Sequence, residues 1–171
     1  MNGLALCAGV GAIELSISCS NPDYRTICYV EKDGYCTKVL KARMRDGLLD
    51  DAPVWDDLTT FDGKPWAGLV DILSAGFPCR PFSTASRGRQ VAPNLWPDVK
   101  RIITECEPRT VFLENVCSAP WDKIVGDLSE VGYKTRGPLR FCPTTLGADH
   151  HRERGWLVAY TNSKGEPLRS F

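Results

Sequence analysis

Short apolar runs alternate with amphipathic stretches along this chain, and the first run closes on a glycine turn. Leu4–Ala8 reads as a buried strand ended by Gly9-Val10-Gly11, after which Ala12–Ser18 opens a helix. Thr26–Val30 reads as a second strand, followed by a helix over Gly34–Arg43. Val70–Ser74 and Thr110–Leu113 read as two further strands. Leu95–Cys106 carries apolar residues at Leu95, Val99, Ile102 and Ile103, a helical spacing, and Ile124–Val131 does the same with Ile124, Val125, Leu128 and Val131. Trp156–Tyr160 reads as a late strand paired with Tyr133–Arg140. Strand and helix in alternation predict an α/β fold, a mainly parallel sheet with helices on both faces. Right-handed crossovers make that sheet Rossmann-like. No repeat, low-complexity tract or linker interrupts the pattern, so residues 1–171 are read as a single domain.

Composition narrows the class. Hydrophobic residues make up 43% of the chain and charged residues 25%, as in a globular domain. No apolar run approaches the roughly 20 residues that cross a bilayer, and the N-terminus has no basic region ahead of its glycine turn. The expected setting is therefore cytoplasmic, with no membrane contact. The eight cysteines contain no CxxC pair, which argues against a zinc site and against any metal. Seven of the eight read as reduced thiols and Cys79 stands apart. Lys plus Arg balance Asp plus Glu at 21 each, but the distribution is uneven. Arg80, Arg87, Arg89, Lys100 and Arg101 face one acid, Asp98, in one segment; Lys134, Arg136, Arg140, Arg152 and Arg154 face Asp149 and Glu153 in another. Two such segments beside one cleft would suit a nucleic acid.

In parallel sheets ligands sit at the carboxyl ends of the strands. Gly9 and Gly11 give a tight turn that lets a ligand approach backbone N–H groups at a helix N-terminus. Glu31, 20 residues past Gly11, ends the next strand, where an acid accepts hydrogen bonds from ribose hydroxyls. Position 14 is Glu14 and not the third glycine of a dinucleotide fingerprint, which turns the reading towards a smaller adenosine ligand such as S-adenosylmethionine. Asp57 reads either as an acceptor for an adenine amino group or as a cap of a short turn. The next strand runs into Gly76-Phe77-Pro78-Cys79-Arg80-Pro81-Phe82-Ser83, whose prolines hold the backbone extended around one thiol. Val111–Val116 is an apolar stretch carrying Glu114, and a carboxyl in such surroundings has the raised pKa of a proton donor. Arg152 and Arg154, two residues apart, precede the last strand.

These segments, in this order, resemble the DNA cytosine-5 methyltransferases. Cys7-Ala8-Gly9-Val10-Gly11-Ala12 looks like the family's glycine-rich cofactor motif, with Glu31 and Asp57 at its ribose and adenine positions. Pro78-Cys79-Arg80-Pro81-Phe82-Ser83 looks like its catalytic loop and Glu114-Asn115-Val116 like its second catalytic motif. Asn94-Leu95-Trp96 falls at a cofactor-contacting segment, and Arg152-Glu153-Arg154 is similar to the motif that holds the target base and the DNA backbone. Cys7 stands where the family has an aromatic ring, Ala12 where it has a glycine, and Arg80 and His150 where glutamine is usual.

The resemblance implies S-adenosylmethionine as cofactor, S-adenosylhomocysteine as product, and Cys7, Gly9, Gly11, Glu31, Asp57, Pro78 and Leu95 around it. It implies Cys79 as the nucleophile at carbon 6 of a flipped-out cytosine, with Glu114 at ring N3, Arg154 at the base carbonyl and Arg152 at a phosphate. Ser83–Pro93 reads as a loop that closes over DNA. Only 17 residues follow Arg154, so the chain is expected to lack a target-recognition region and the segment that completes the cofactor pocket. It is then expected to leave apolar surface beside the first strand and its turn, and to need a second polypeptide or a longer reading frame. An RNA cytosine methyltransferase, a catalytically silent binding protein of the same descent and a nicotinamide oxidoreductase are the rival readings. The last leaves Cys79, Glu114 and Arg154 without a role.

Overall fold

The computed structural model describes residues 1–78 and 94–161. Strands β1 (Asn2–Leu6), β2 (Arg25–Val30), β3 (Val54–Trp55), β4 (Ile72–Ala75), β5 (Thr110–Val116), β6 (Lys134–Phe141) and β7 (Arg154–Tyr160) form one sheet in the order β3-β2-β1-β4-β5-β7-β6. The first five run parallel; β7 is antiparallel to both of its neighbours. Helices α1 (Ala12–Ser20) and α2 (Gly34–Arg45) flank β1 and β2 in the chain, whereas α3 (Trp96–Cys106) and α4 (Trp121–Glu130) flank β5.

Alternation along the strands sorts side chains between two faces. Leu4 and Leu6 join the core formed with Val99, Ile102 and Ile103 of α3 and Ile124 and Leu128 of α4. Ala5 and Tyr29 point the other way, into a smaller cluster with Leu40 and Leu49 on which Leu15 of α1 and Met44 of α2 pack. Helices therefore cover both faces, as the periodicity predicts. Asp33 starts α2 by accepting the Cys36 N–H at 2.8 Å. α3 and α4 are tied together by Asp127, which accepts from Trp96 Nε1 at 2.6 Å and Lys100 Nζ at 3.0 Å.

The departures from the expected boundaries have local causes. β1 stops at Leu6 and not Ala8, because Cys7 turns the chain with φ of 49°. β5 continues past Leu113 to Val116 because β7 pairs with it along its whole length, Glu114 opposite Trp156 and Val116 opposite Arg154. The late strand pairs with the segment at 134–141 as expected, yet it also inserts between that segment and β5. α4 begins at Trp121, three residues early, where the indole packs so closely that a Cβ on Gly155 would lie 2.7 Å from it. β3 lies within a segment rich in aspartate and has only two residues, too short for its pattern to stand out.

One polar contact pins α1 to the sheet. Glu14 is buried, and its Oε1 accepts the Ser74 hydroxyl of β4 at 2.6 Å, while Oε2 has no partner among the described residues. Burial holds this carboxyl above its ordinary pKa, against the smaller lowering by the Ser74 hydroxyl. The folded state thus keeps the proton to higher pH than the unfolded chain. The stability contributed is complete below the unfolded value and is lost as pH rises through the folded one. Melting temperature of the parent should therefore fall between pH 5 and pH 8 relative to Glu14→Gln, by roughly 2–4 °C for each kcal/mol of linkage. Parallel pH profiles for the two proteins would show that Glu14 does not titrate in this way.

Candidate active site

The turn after β1 is built from three residues in left-handed conformations, Cys7 at φ 49°, Gly9 at 55° and Gly11 at 78°. Gly11 answers a packing demand, since a Cβ there would sit 2.4 Å from Leu49 Cδ1. Gly9 faces open space, with nothing within 4 Å of where its Cβ would lie. Glu31, just past the end of β2, closes the turn from the side. Its Oε2 accepts the Gly9 N–H and its Oε1 the Asp33 N–H, both at 2.7 Å. A carboxylate has about four lone-pair positions, so each oxygen keeps one for a ligand hydroxyl. Arg43 of α2 donates to the Val10 carbonyl and fixes the tip of the turn. Among the described residues no side chain caps the N-terminus of α1, which leaves its first N–H groups to a ligand or to water.

Asp57 takes up the capping alternative. Its Oδ1 accepts both the N–H (2.9 Å) and the hydroxyl (2.7 Å) of Thr59, and its Oδ2 meets Lys32 Nζ at 2.7 Å. Lys32 and Thr59 together hold this carboxyl down at about 2. One lone pair on Oδ2 remains, so capping and acceptance from an amino group are compatible. Cys7 is half-buried, and it and Leu95 each pack against the main core. Burial, then Glu31 and Asp98 of α3, push its thiol up to about 12, which makes it an inert neutral wall.

The other half of the site lies on β4 and β5. Glu114 is partly buried, and Arg154 Nε donates to its Oε1 at 2.9 Å. Burial raises the Glu114 pKa and outweighs the lowering by Arg154 and Arg152. Arg154 also donates to the Glu153 carbonyl at 2.8 Å, which braces the guanidinium; Arg152 is exposed in the segment before β7. Gly76 stands where the halves meet: a Cβ on it would lie 3.5 Å from Glu114 Oε2, 3.4 Å from Ile13 Cδ1 and 3.9 Å from the Cys7 carbonyl oxygen. Pro78 follows, exposed. Cys79 and the expected closing loop, Ser83–Pro93, lie outside the described residues.

Four residues of this neighbourhood carry roles that their sequence context did not disclose. Asn115 is buried, and its Nδ2 donates to the Phe77 carbonyl at 3.0 Å, two residues before Cys79. Lys32 engages Asp57, Arg43 holds the turn, and Gly76 supplies the space between the halves. Asn115 and Gly76 lie within motifs visible in the sequence, though their contacts were not, and all four roles depend on residues distant in the chain.

The family model described as C-5 cytosine-specific DNA methylase matches residues 1–170. The chain is 30% identical over 172 residues to the type II methyltransferase M.CviJI of Paramecium bursaria Chlorella virus IL3A, covering 96% of this chain and 44% of that protein. It is 32% identical over 167 residues to M.NlaX of Neisseria lactamica, covering 92% of this chain and 51% of the relative. The chain thus spans about half the length of the curated relatives it matches. Among solved structures, the Schizosaccharomyces pombe Dnmt2 methyltransferase superposes with a TM-score of 0.73 at 19% identity, over 97% of this chain and 52% of that one. A precorrin-6y C5,15-methyltransferase of Geobacter metallireducens gives 0.64 at 12% identity, over 94% and 80%. At such identities the likeness is one of fold.

The Asn115 bond gives a direct test of the site's framework. Asn115→Ala leaves the buried Phe77 carbonyl without its donor and should cost about 1–3 kcal/mol. Asn115→Asp keeps the shape but replaces the donor with an acceptor and should cost at least as much. Thermal unfolding of the three proteins reads the difference; equal melting temperatures would mean that the Asn115–Phe77 bond contributes nothing.

Proposed function

Because the chain belongs to the C-5 cytosine-specific DNA methylase family, we propose that it carries the methyl-transfer site for carbon 5 of cytosine in DNA. The observation that carries this reading is the junction at Gly76. The glycine turn of β1 and the Glu114–Arg154 pair of β5 and β7 meet there, on the strand that leads to Cys79.

The residues around the turn fit S-adenosylmethionine. Open space at Gly9, the free lone pairs of Glu31 and the uncapped end of α1 suit an adenosine with charged groups. Glu31 would hold the ribose, Asp57 the adenine amino group, and Cys7, Gly9, Gly11, Pro78 and Leu95 the remaining walls. Bound there, S-adenosylmethionine supplies an electrophilic methyl group and leaves as S-adenosylhomocysteine. A thiol of about 12 at Cys7 keeps that residue from competing as a nucleophile.

The reacting base is the task of Cys79, Glu114, Arg152 and Arg154. Carbon 5 of cytosine is a weak nucleophile, and addition of the Cys79 thiolate to carbon 6 drives electron density towards it. Glu114, held protonated longer than an ordinary carboxyl, gives or shares its proton with ring N3 as the ring gains charge. Arg154 is already oriented by Glu114 and the Glu153 carbonyl, and turns its remaining N–H groups to the base carbonyl oxygen. Arg152, exposed and beside it in sequence, pairs with a phosphate. Once carbon 5 has bonded the methyl group released from the sulfonium, its proton passes to water and the C–H electron pair expels Cys79 as thiolate, which restores the ring. The base must leave the duplex to reach such a site, at a cost of a few kcal/mol of stacking. Relatives of about twice this length carry as much polypeptide again, and we infer that target choice comes from polypeptide outside these residues, in a longer reading frame or a second chain.

Duplex DNA containing 5-fluorocytosine, mixed with the chain and S-adenosylmethionine, should give a covalent complex that survives denaturation. Carbon 5 then bears fluorine in place of the departing proton, so the adduct cannot eliminate. Cys79→Ser should give none, and its methyl transfer should fall to background, because a serine hydroxyl supplies no anion at neutral pH. A complex formed by Cys79→Ser would assign the nucleophile elsewhere.

Glu31→Ala should weaken S-adenosylmethionine by about 1–3 kcal/mol, through loss of charge-assisted hydrogen bonds and of the brace on Gly9. Calorimetric titration of both proteins decides it. Equal affinities would move the ribose to another acceptor.

A further inference from the structure

We propose that Arg101 of α3 is the positioning residue for the adenine half of the cofactor site, fixing through the backbone of the turn Leu58–Thr60 where Asp57 meets the adenine amino group. The proposal deepens the reading of Asp57 as that acceptor and rests on it.

Asp57 stands on a thinly supported segment. β3, just before it, has two residues and lies at the edge of the sheet, and Asp57 itself starts a single 3-10 turn, Leu58–Thr60. The bonds of Asp57 to Thr59 reach two residues along the chain, so they aim the carboxylate within the turn and move with it. Its partner Lys32 is 78% exposed, and an ion pair so open to water fixes little. Leu58 and Phe61 sink into the main core, but apolar contact is non-directional and leaves the turn free to roll.

α3 supplies the direction. Arg101 Nη2 donates to the Leu58 carbonyl at 3.1 Å and Nη1 to the Phe61 carbonyl at 2.8 Å, so one guanidinium clamps both ends of the turn. A planar fork with fixed donors holds two acceptors in one orientation, which the point charge of a lysine cannot do. Glu105, one helical turn on, steadies the fork. Its Oε2 accepts from Arg101 Nη1 at 3.0 Å and from the Gly63 N–H at 2.9 Å. Cys106 Sγ donates to the Gly63 carbonyl at 3.3 Å, and a Cβ on Gly63 would lie 2.9 Å from Glu105 Cβ. Side chains of α3 thus hold this segment by its backbone from Leu58 to Gly63. The same helix begins at Trp96, next to Leu95, and its Asp98 lies 3.7 Å from Arg101 Nη2 and acts on the Cys7 thiol. One rigid element therefore sets the adenine acceptor relative to the walls at Leu95 and Cys7. The sequence grouped Arg101 with basic residues suited to a nucleic acid; the structure directs its donors to the protein's own backbone.

The test compares S-adenosylhomocysteine with S-inosylhomocysteine, in which a carbonyl oxygen replaces the amino group that Asp57 accepts. Calorimetry on the parent should show the adenosyl ligand bound at least about tenfold tighter, and Asp57→Ala should bind the two alike. Arg101→Met should bring the ratio below about threefold, because the carboxylate is no longer held opposite the amino group. Lys100→Met is the control, since Lys100 makes its ion pairs with Asp127 and Glu130 of α4, at 3.0 and 3.1 Å, and its ratio should equal the parent's. A residue that served the fold alone would weaken both ligands by the same factor. An unchanged ratio in folded Arg101→Met therefore overturns the proposal, as does an equal loss of preference in Lys100→Met. If Arg101→Met does not melt cooperatively, Arg101→Lys decides in its place. It keeps the charge facing Glu105 and Asp98 without the fork, and its ratio should fall well below the parent's; the full parental ratio overturns the proposal. A parent that binds the two ligands alike removes Asp57 from the adenine and takes the proposal with it. A parental preference lost in Asp57→Ala but kept in Arg101→Met removes Arg101 alone and leaves the cofactor reading standing.

Discussion

The pairing of β1 with β4 is the constraint on which the site depends. Four residues of each strand lie side by side in parallel register, Gly3 with Ile72 through Leu6 with Ala75. Beyond that last pair the chains part. Cys7 turns into the glycine loop and α1, while Gly76 continues towards Pro78. The strand order reverses at this boundary, with β2 on one side and β5 on the other, so a crevice opens at the carboxyl edge. Parallel strands present all their carboxyl ends on one edge, which is why Glu31 and Glu114 reach it from either side.

The antiparallel strand β7 adds what the parallel frame cannot. Entering from the same edge in the opposite direction, it brings its first residue, Arg154, opposite Val116 and within 2.9 Å of Glu114. The pair sits between two opposed effects. Burial favours the neutral acid and the two arginines favour the carboxylate, with burial the larger. A carboxyl so balanced exchanges a proton more readily than one wholly committed to an ion pair. Without β7 between β5 and β6, Glu114 would have the burial without the counter-charge.

Polar groups placed inside the core hold the two halves together. Glu14 fastens the helix after the turn to Ser74 of β4, and Asn115 of β5 fastens the Phe77 carbonyl. The first bond joins the two halves and the second braces the β4–β5 half from within; both are shielded from water, so their loss is costly. The ring pair of Phe112 and Trp156 is the opposite case, apolar side chains that stay partly exposed among the described residues.

Most of the fold was legible because its signals are local. Hydrophobic alternation located the long strands and helices, and glycines at 9 and 11 marked the turn. The short β3 escaped, as did the true end of β5, because each is set by a neighbouring strand and not by its own pattern. The residue types of the site were legible for the same reason: a thiol between prolines, a carboxyl on an apolar strand, two arginines two apart. Contacts across 20 or more residues were not. Asp57 paired with Lys32, Glu31 turned one oxygen to Gly9, and Gly76 proved to be the meeting point. The sequence by itself determined which elements form and which chemical groups stand at their ends, since propensity and periodicity act over a few residues. Only the tertiary structure decided which of those groups face one another and which helices share a sheet face, because strand order and helix coverage are properties of the assembled sheet.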